Sequence, residues 1–165
     1  LGVIFFLRVR RPPRSTQSRS SAASDVYKRQ WQLRIAGGEP ITLRQTDIKH
    51  HGVAIECRIN AEDPSNNFSP SPGTISRYIA PGGLGVRIDT HVHQGWTITP
   101  NYDSLIAKII VHQETRTEAI ATMRRALQEF VIEPVKTTIP ACLAILSHNL
   151  FVKGKTATGF VERTF

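Results

Sequence analysis

Residues 51–60, HGVAIECRIN, alternate between apolar and polar side chains without a break. Val53, Ile55, Cys57 and Ile59 fall on one side of an extended chain. Ala54, Glu56, Arg58 and Asn60 fall on the other. A period of two is the mark of a strand with one buried face, and a helix cannot satisfy it. Residues 105–112, LIAKIIVH, are apolar enough to be a central strand. Residues 74–80, 85–91 and 96–99 read as further strands, separated by turns at Pro81-Gly82-Gly83 and Gln94-Gly95. Residues 61–73, rich in Pro, Asn, Ser and Gly, read as a loop.

The second half changes period. Residues 115–130 place Ala119, Met123, Ala126, Leu127 and Phe130 on one helical face, and Thr115 with Glu118 forms a capping-box signature. Val131-Ile132 suits a short strand. Thr138 with Pro140 should start a second helix ending near Ser147, and a turn or two of helix is expected over 158–163. Strands followed by helices imply an α+β domain, with an antiparallel sheet and packed helices.

Composition narrows the class. The chain has 165 residues, enough for one domain with a core. An apolar share of 40% with 21% charged residues is ordinary for a globular chain. Two cysteines cannot make a disulfide scaffold, so a reducing compartment is the default. No apolar run approaches the about 20 residues that span a bilayer, so no membrane partner is expected.

The net charge of +8 suggests nucleic acid until it is located. Residues 1–30 carry seven basic side chains against one acid, a net of +6; the rest carries +2. The first thirty residues show no period through 12–24 and resemble a translated sequencing adapter. They are expected to be a disordered basic tail, non-native, followed at 31–36 by the last turns of a helix capped at Gly37-Gly38. The rival is a basic nucleic-acid-binding arm, which would lack interleaved aromatics for stacking.

Local chemistry centres on residues 56–63, ECRINAED. Arg58 offers a planar donor fork suited to a carboxylate, a bicarbonate or an enolate oxygen, and Glu56 and Asp63 could hold it. The same residues also suit a plain ion pair at a strand end. Asp103, in Tyr102-Asp103-Ser104, could orient an arginine or cap the next strand. Pro81–Gly85 lacks the following helix of a phosphate cradle and reads as a turn. His50-His51, His91-x-His93 and two isolated cysteines complete no metal set, so no metal site is expected.

The ordered blocks go further. QLRIAGGEPI, HGVAIECRINAEDP, FSPSPGTISRYIAPGGLGVRIDTHV, YDSLIAKIIV and ALQEFVIEPVKTTIP together resemble the C-terminal part of biotin carboxylase. This is the ATP-grasp subunit or domain of acetyl-CoA carboxylase and related enzymes. The resemblance runs over residues 31–165. It implies a parent enzyme that activates bicarbonate with ATP and Mg and carboxylates biotin on a carrier protein.

By resemblance Arg58 contacts biotin and bicarbonate, and Asp103 holds Arg58. Leu84 and Arg87 would meet a second copy in a homodimer. Thr158 would lie on the adenine side, where the family usually has a bulkier apolar residue. The family's ATP and Mg ligands match nothing in this sequence, so the isolated chain is expected not to form carboxyphosphate. Implied partners are the biotin carboxyl carrier protein and a carboxyltransferase, with no nucleic acid. The implied setting is fatty acid synthesis, or a propionyl-, methylcrotonyl-, geranyl-CoA or pyruvate carboxylase. The compartment would be cytoplasmic, or mitochondrial for an organellar parent.

Overall fold

A computed structural model of the protein describes residues 21–42, 44–47 and 51–164. The described chain divides into two units, one ending at His51 and one running on from Gly52.

The first unit holds helix α1, Ser21–Ala36. Its end is as expected: Gly37 N–H donates to Leu33 O at 2.8 Å, and Gly38 takes a φ of 85°. Its start is not. The disorder expected through residue 30 does not hold for 21–30, which are helical; residues 1–20 lie outside the described residues. Nothing in SAASDVYKRQ breaks a helix, since it lacks Gly and Pro. Along 29–36 only Trp31 is half-buried and the rest is exposed. A stretch with no buried face leaves no apolar period to read.

The second unit is built on a three-stranded antiparallel sheet of order β1-β8-β6. Its strands are β1, Val53–Asn60, β6, Val86–Thr90, and β8, Leu105–Gln113. As its apolar run implies, β8 takes the centre. Ile55, Cys57 and Ile59 of β1 and Ile109 and Val111 of β8 are buried. They pack with Ala119, Met123 and Leu127 of α2, Arg116–Glu129, and Cys142, Ile145 and Leu146 of α3, Ile139–Ser147. The α2 capping box forms in full, with Thr115 and Glu118 satisfying each other's backbone N–H groups.

Smaller strands frame the sheet. The loop expected at 61–73 contains β2, Glu62–Asp63, paired with β3, Ser69–Pro70. The strand expected over 74–80 is split into β4, Gly73–Thr74, and β5, Arg77–Ile79. The backbone changes partner at this point. Ile75 N–H donates to Trp96 O, beside β7, Thr97–Ile98, whereas Ser76 N–H donates to Glu133 O in β9, Val131–Glu133. Two helices close the chain: α4, Asn149–Val152, and α5, Phe160–Thr164.

Two close approaches explain two glycines. Gly52 and Gly85 both have positive φ, at 64° and 76°. A Cβ on Gly85 would sit 2.5 Å from His112 O, and one on Gly52 would collide with Gln113 O. Both flanking chains thus press on the same end of β8, where only glycine fits.

Thr138 stands at the start of α3, as expected, but its hydroxyl does not cap the helix. It accepts from Asn60 N–H at 3.0 Å and donates to Arg58 O at 3.2 Å. Thr138 N–H in turn donates to Asn60 O at 3.1 Å. This buried side chain clasps α3 to the end of β1. Thr138→Val keeps the volume and leaves the Asn60 amide unpaired, so urea unfolding should show a loss of about 1–3 kcal/mol. Thr115→Ala, which removes only an exposed cap, should cost about 1 kcal/mol in the same assay.

Candidate functional site

Arg58 leaves β1 on the face opposite the core, as the alternation requires. Register sets its neighbours. Arg58 pairs with Lys108 of β8, and Lys108 pairs with Asp89 of β6, so the three share one row. The next row holds Glu56, Ile110 and Arg87. The outward sheet face is therefore charged, while the inward face is apolar.

Asp103 reaches this face from the turn before β8. Its Oδ1 accepts from Leu105 N–H at 2.9 Å, fixing the start of the strand. Its Oδ2 lies 4.0 Å from Arg58 Nη2. One oxygen of Asp103 thus caps the strand and the other faces Arg58. The pair is loose and open, with side chains 36% and 69% exposed. Such a pair contributes at most about 1 kcal/mol and leaves the guanidinium able to take a further anion.

The other residues expected to hold Arg58 do something else. Glu56 lies in the row of Arg87. Asp63 caps the turn at Pro64–Asn66, accepting from Ser65 Oγ at 2.6 Å and Ser65 N–H at 2.9 Å. Glu62, four residues past Arg58, instead meets the turn that carries Asp103. Its Oε1 accepts from Ser104 Oγ at 2.5 Å and from Asn60 Nδ2 at 2.9 Å. Asn60 Nδ2 also lies 3.3 Å from Ser104 Oγ, while Asn60 Oδ1 is buried without a partner. A small pocket of about 120 Å³ abuts this cluster at Ser104, Ala61 and the exposed Tyr102.

Leu84 and Arg87 are not part of the Arg58–Asp103 pair. Leu84 is 94% exposed on the turn after Gly83, and Arg125 of α2 holds that turn by donating to Gly82 O at 3.0 Å. Arg87 forks onto Asp89 at 2.9 and 2.7 Å, which raises its already high pKa. Thr158 is exposed in the turn before α5, where its carbonyl accepts from Arg163 at 3.3 Å. A larger cavity of about 590 Å³ lies between Phe68, Val135, Ile145 and Val161, away from Arg58.

His91 and His93 both set their ring edges on Trp96, with centroids 5.5 Å apart. No cluster of three or more metal-ligating side chains occurs among the described residues. His50 lies outside them. The two cysteines, expected to be isolated, meet in the core: a hydrogen bond with Cys142, then burial, pushes the Cys57 thiol up. They lie 85 positions apart in the sequence, so only the packing of α3 on β1 could show it.

The model of the biotin carboxylase C-terminal domain family matches residues 56–163. The chain belongs to that family. Biotin carboxylase 1 of Bacillus subtilis is 55% identical over 139 residues, which cover 84% of this chain and 30% of the relative. A pyruvate carboxylase subunit of Methanothermobacter thermautotrophicus is 50% identical, over 79% of this chain and 27% of the relative. Among solved structures, the biotin carboxylase domain dimer of Hydrogenobacter thermophilus 2-oxoglutarate carboxylase, in complex with MgADP, ADP and bicarbonate, matches with a TM-score of 0.72. That match has 49% identity, over 81% of this chain and 29% of the other. The mixed fold of helices and antiparallel strands is the fold of this biotin carboxylase domain. The chain spans about 30% of the length of these relatives.

Asp63 gives this biotin carboxylase domain a measurable titration. The Ser65 hydroxyl, then the Ser65 backbone N–H, holds its carboxyl below the ordinary aspartate value. The folded-state pKa is lowered, so the cap stabilises above the unfolded pKa and fades as pH falls through the folded one. Carboxyl ¹³C NMR should place the Asp63 midpoint below that of an unstructured aspartate, and Ser65→Ala should move it back up.

Proposed function

We propose that residues 31–165 form the biotin-facing wall of a biotin carboxylase, with residues 1–30 a non-native tail outside the domain. The observation that carries this reading is Arg58: a half-exposed guanidinium, loosely steadied by Asp103, in a row with a second cation, Lys108. A planar fork left partly open suits a planar oxyanion, bicarbonate or the ureido oxygen of deprotonated biotin.

ATP with Mg supplies the activation of bicarbonate in the parent enzyme. The part of this chain is charge stabilisation. As the ureido nitrogen loses its proton, negative charge grows on the ureido oxygen, and Arg58 donates to it from a fixed position. Asp103 keeps the guanidinium aimed without occupying both of its edges. Asp103 is therefore a positioning residue and Arg58 the one that touches substrate.

The same reading extends to partners. Leu84, on a turn braced by Arg125, is the contact for a second copy, flanked by Arg87. Thr158 stands on the adenine side. Carrier-bound biotin is the substrate and a carboxyltransferase receives the product. Acetyl-CoA carboxylase of fatty acid synthesis is the setting we favour, in a cytoplasmic protein. The relatives carry more than one acceptor name, so a pyruvate-type or another acyl-CoA carboxylase is the alternative. The basic side chains of residues 1–30 lie outside the family match and support no nucleic-acid reading.

The test is to join residues 31–165 to the upstream part of the Bacillus subtilis relative. The fusion should carboxylate free biotin with ATP and bicarbonate, and Arg58→Met should lower kcat by about 10²–10³-fold. A folded fusion that cleaves ATP but never carboxylates biotin would overturn the reading. The purified chain by itself should show no bicarbonate-dependent ATP cleavage above a vector control.

A further inference from the structure

Arg58 lies in β1 and Asp103 in the turn before β8, and a contact of 4.0 Å between open side chains cannot set its own geometry. Something else must hold the ends of β1 and β8 in place. The register slips between Ile59 and Asn60, so the regular ladder stops one residue after Arg58. Beyond that slip Asn60 still pairs with Leu105, and side chains add to the join.

Glu62 makes the join. One carboxylate oxygen accepts from Asn60 Nδ2, two residues after Arg58, and from Ser104 Oγ, the residue after Asp103. Ala61 N–H adds a backbone bond to Ser104 O at 2.7 Å. Each strand end is therefore tied to the same oxygen. Hydrogen bonds to a carboxylate are about twice as strong as neutral ones. Thr138 fixes Asn60 from behind.

The unpartnered Asn60 Oδ1 fits this arrangement. Turning the amide over would give Oδ1 a different position but would set it against the Glu62 carboxylate. The orphaned acceptor is the cost of pointing the donor at Glu62. A side chain kept at that cost marks the Asn60–Glu62 bond as the one that decides the local geometry.

We infer that Glu62, through Asn60 and Ser104, is the positioning residue that sets Arg58 against Asp103. It touches neither guanidinium nor substrate. The inference rests on the proposed function only for the importance of Arg58.

Arginine side-chain ¹⁵N NMR of the full chain tests it without any turnover. Asp103→Asn should move the Arg58 Nε–Hε resonance in the otherwise unchanged chain. It should do so again in Glu62→Gln, whose amide oxygen can still accept from both partners. In Glu62→Ala the response to Asp103→Asn should disappear, while the Ile55, Ile59 and Ile109 methyl signals stay dispersed. A purely structural Glu62 would lower the melting temperature and leave the response in place. A response of undiminished size in Glu62→Ala, or none in the unchanged chain, overturns the inference. Should Glu62→Ala lose its methyl dispersion, Ser104→Ala decides: a reduced response supports the join, and an unchanged one overturns it. Free biotin added to the same samples separates the two claims. An Arg58 resonance that answers to Asp103 but not to biotin removes the proposed function and leaves the positioning role standing.

Discussion

Everything on the outward face depends on β8 being paired on both sides. A strand with two antiparallel neighbours fixes two registers at once, and each register decides which side chains stand in one row. Slipping β1 by one residue would turn Arg58 into the core and bring Ile55, Cys57 and Ile59 to the surface. The burial of Ile55, Cys57 and Ile59 is thus the force that aims Arg58 outward. The outward row is a by-product of hydrophobic registration, and Thr138 and Glu62 hydrogen-bond at its end.

That dependence explains what can be read in advance. The alternation over 51–60 is a local property, and it correctly gives the strand, its buried face and the outward Arg58. The apolar run of β8 gives its central place, and the Thr115–Glu118 spacing gives the start of α2. Each of these depends on residues within a few positions of one another. The pairing of Arg58 with Asp103 comes from the resemblance of the two blocks, since no local rule joins positions 45 apart.

The misreadings have the converse cause. Asp63 resembles a partner for Arg58 by proximity in sequence, yet it sits before a Pro-Ser pair whose nearest free donors are the Ser65 hydroxyl and amide. The strand over 74–80 reads as continuous because both halves have the right composition. It is split because its two halves hydrogen-bond to different strands, β7 and β9. Glu62 escapes a local reading because its partner Ser104 lies 42 positions away. The front of helix α1 escapes it because only propensity, a weak signal, speaks for it.

The two arginines of the outward face show how one sheet can separate structure from chemistry. Arg87 commits its fork to Asp89, with both bonds at 2.9 Å or less, and has little left to offer an anion in the same plane. Arg58 has a carboxylate at 4.0 Å, itself occupied on its other oxygen by the Leu105 amide. Were Asp103 free to fork onto Arg58, as Asp89 is forked by Arg87, the pair would be tighter and the guanidinium closed. Anchoring Asp103 to the backbone holds one of its oxygens 4.0 Å from Arg58 and leaves it too constrained to fork onto the guanidinium. The looseness of the contact is therefore what leaves a fixed positive charge available at the end of β1.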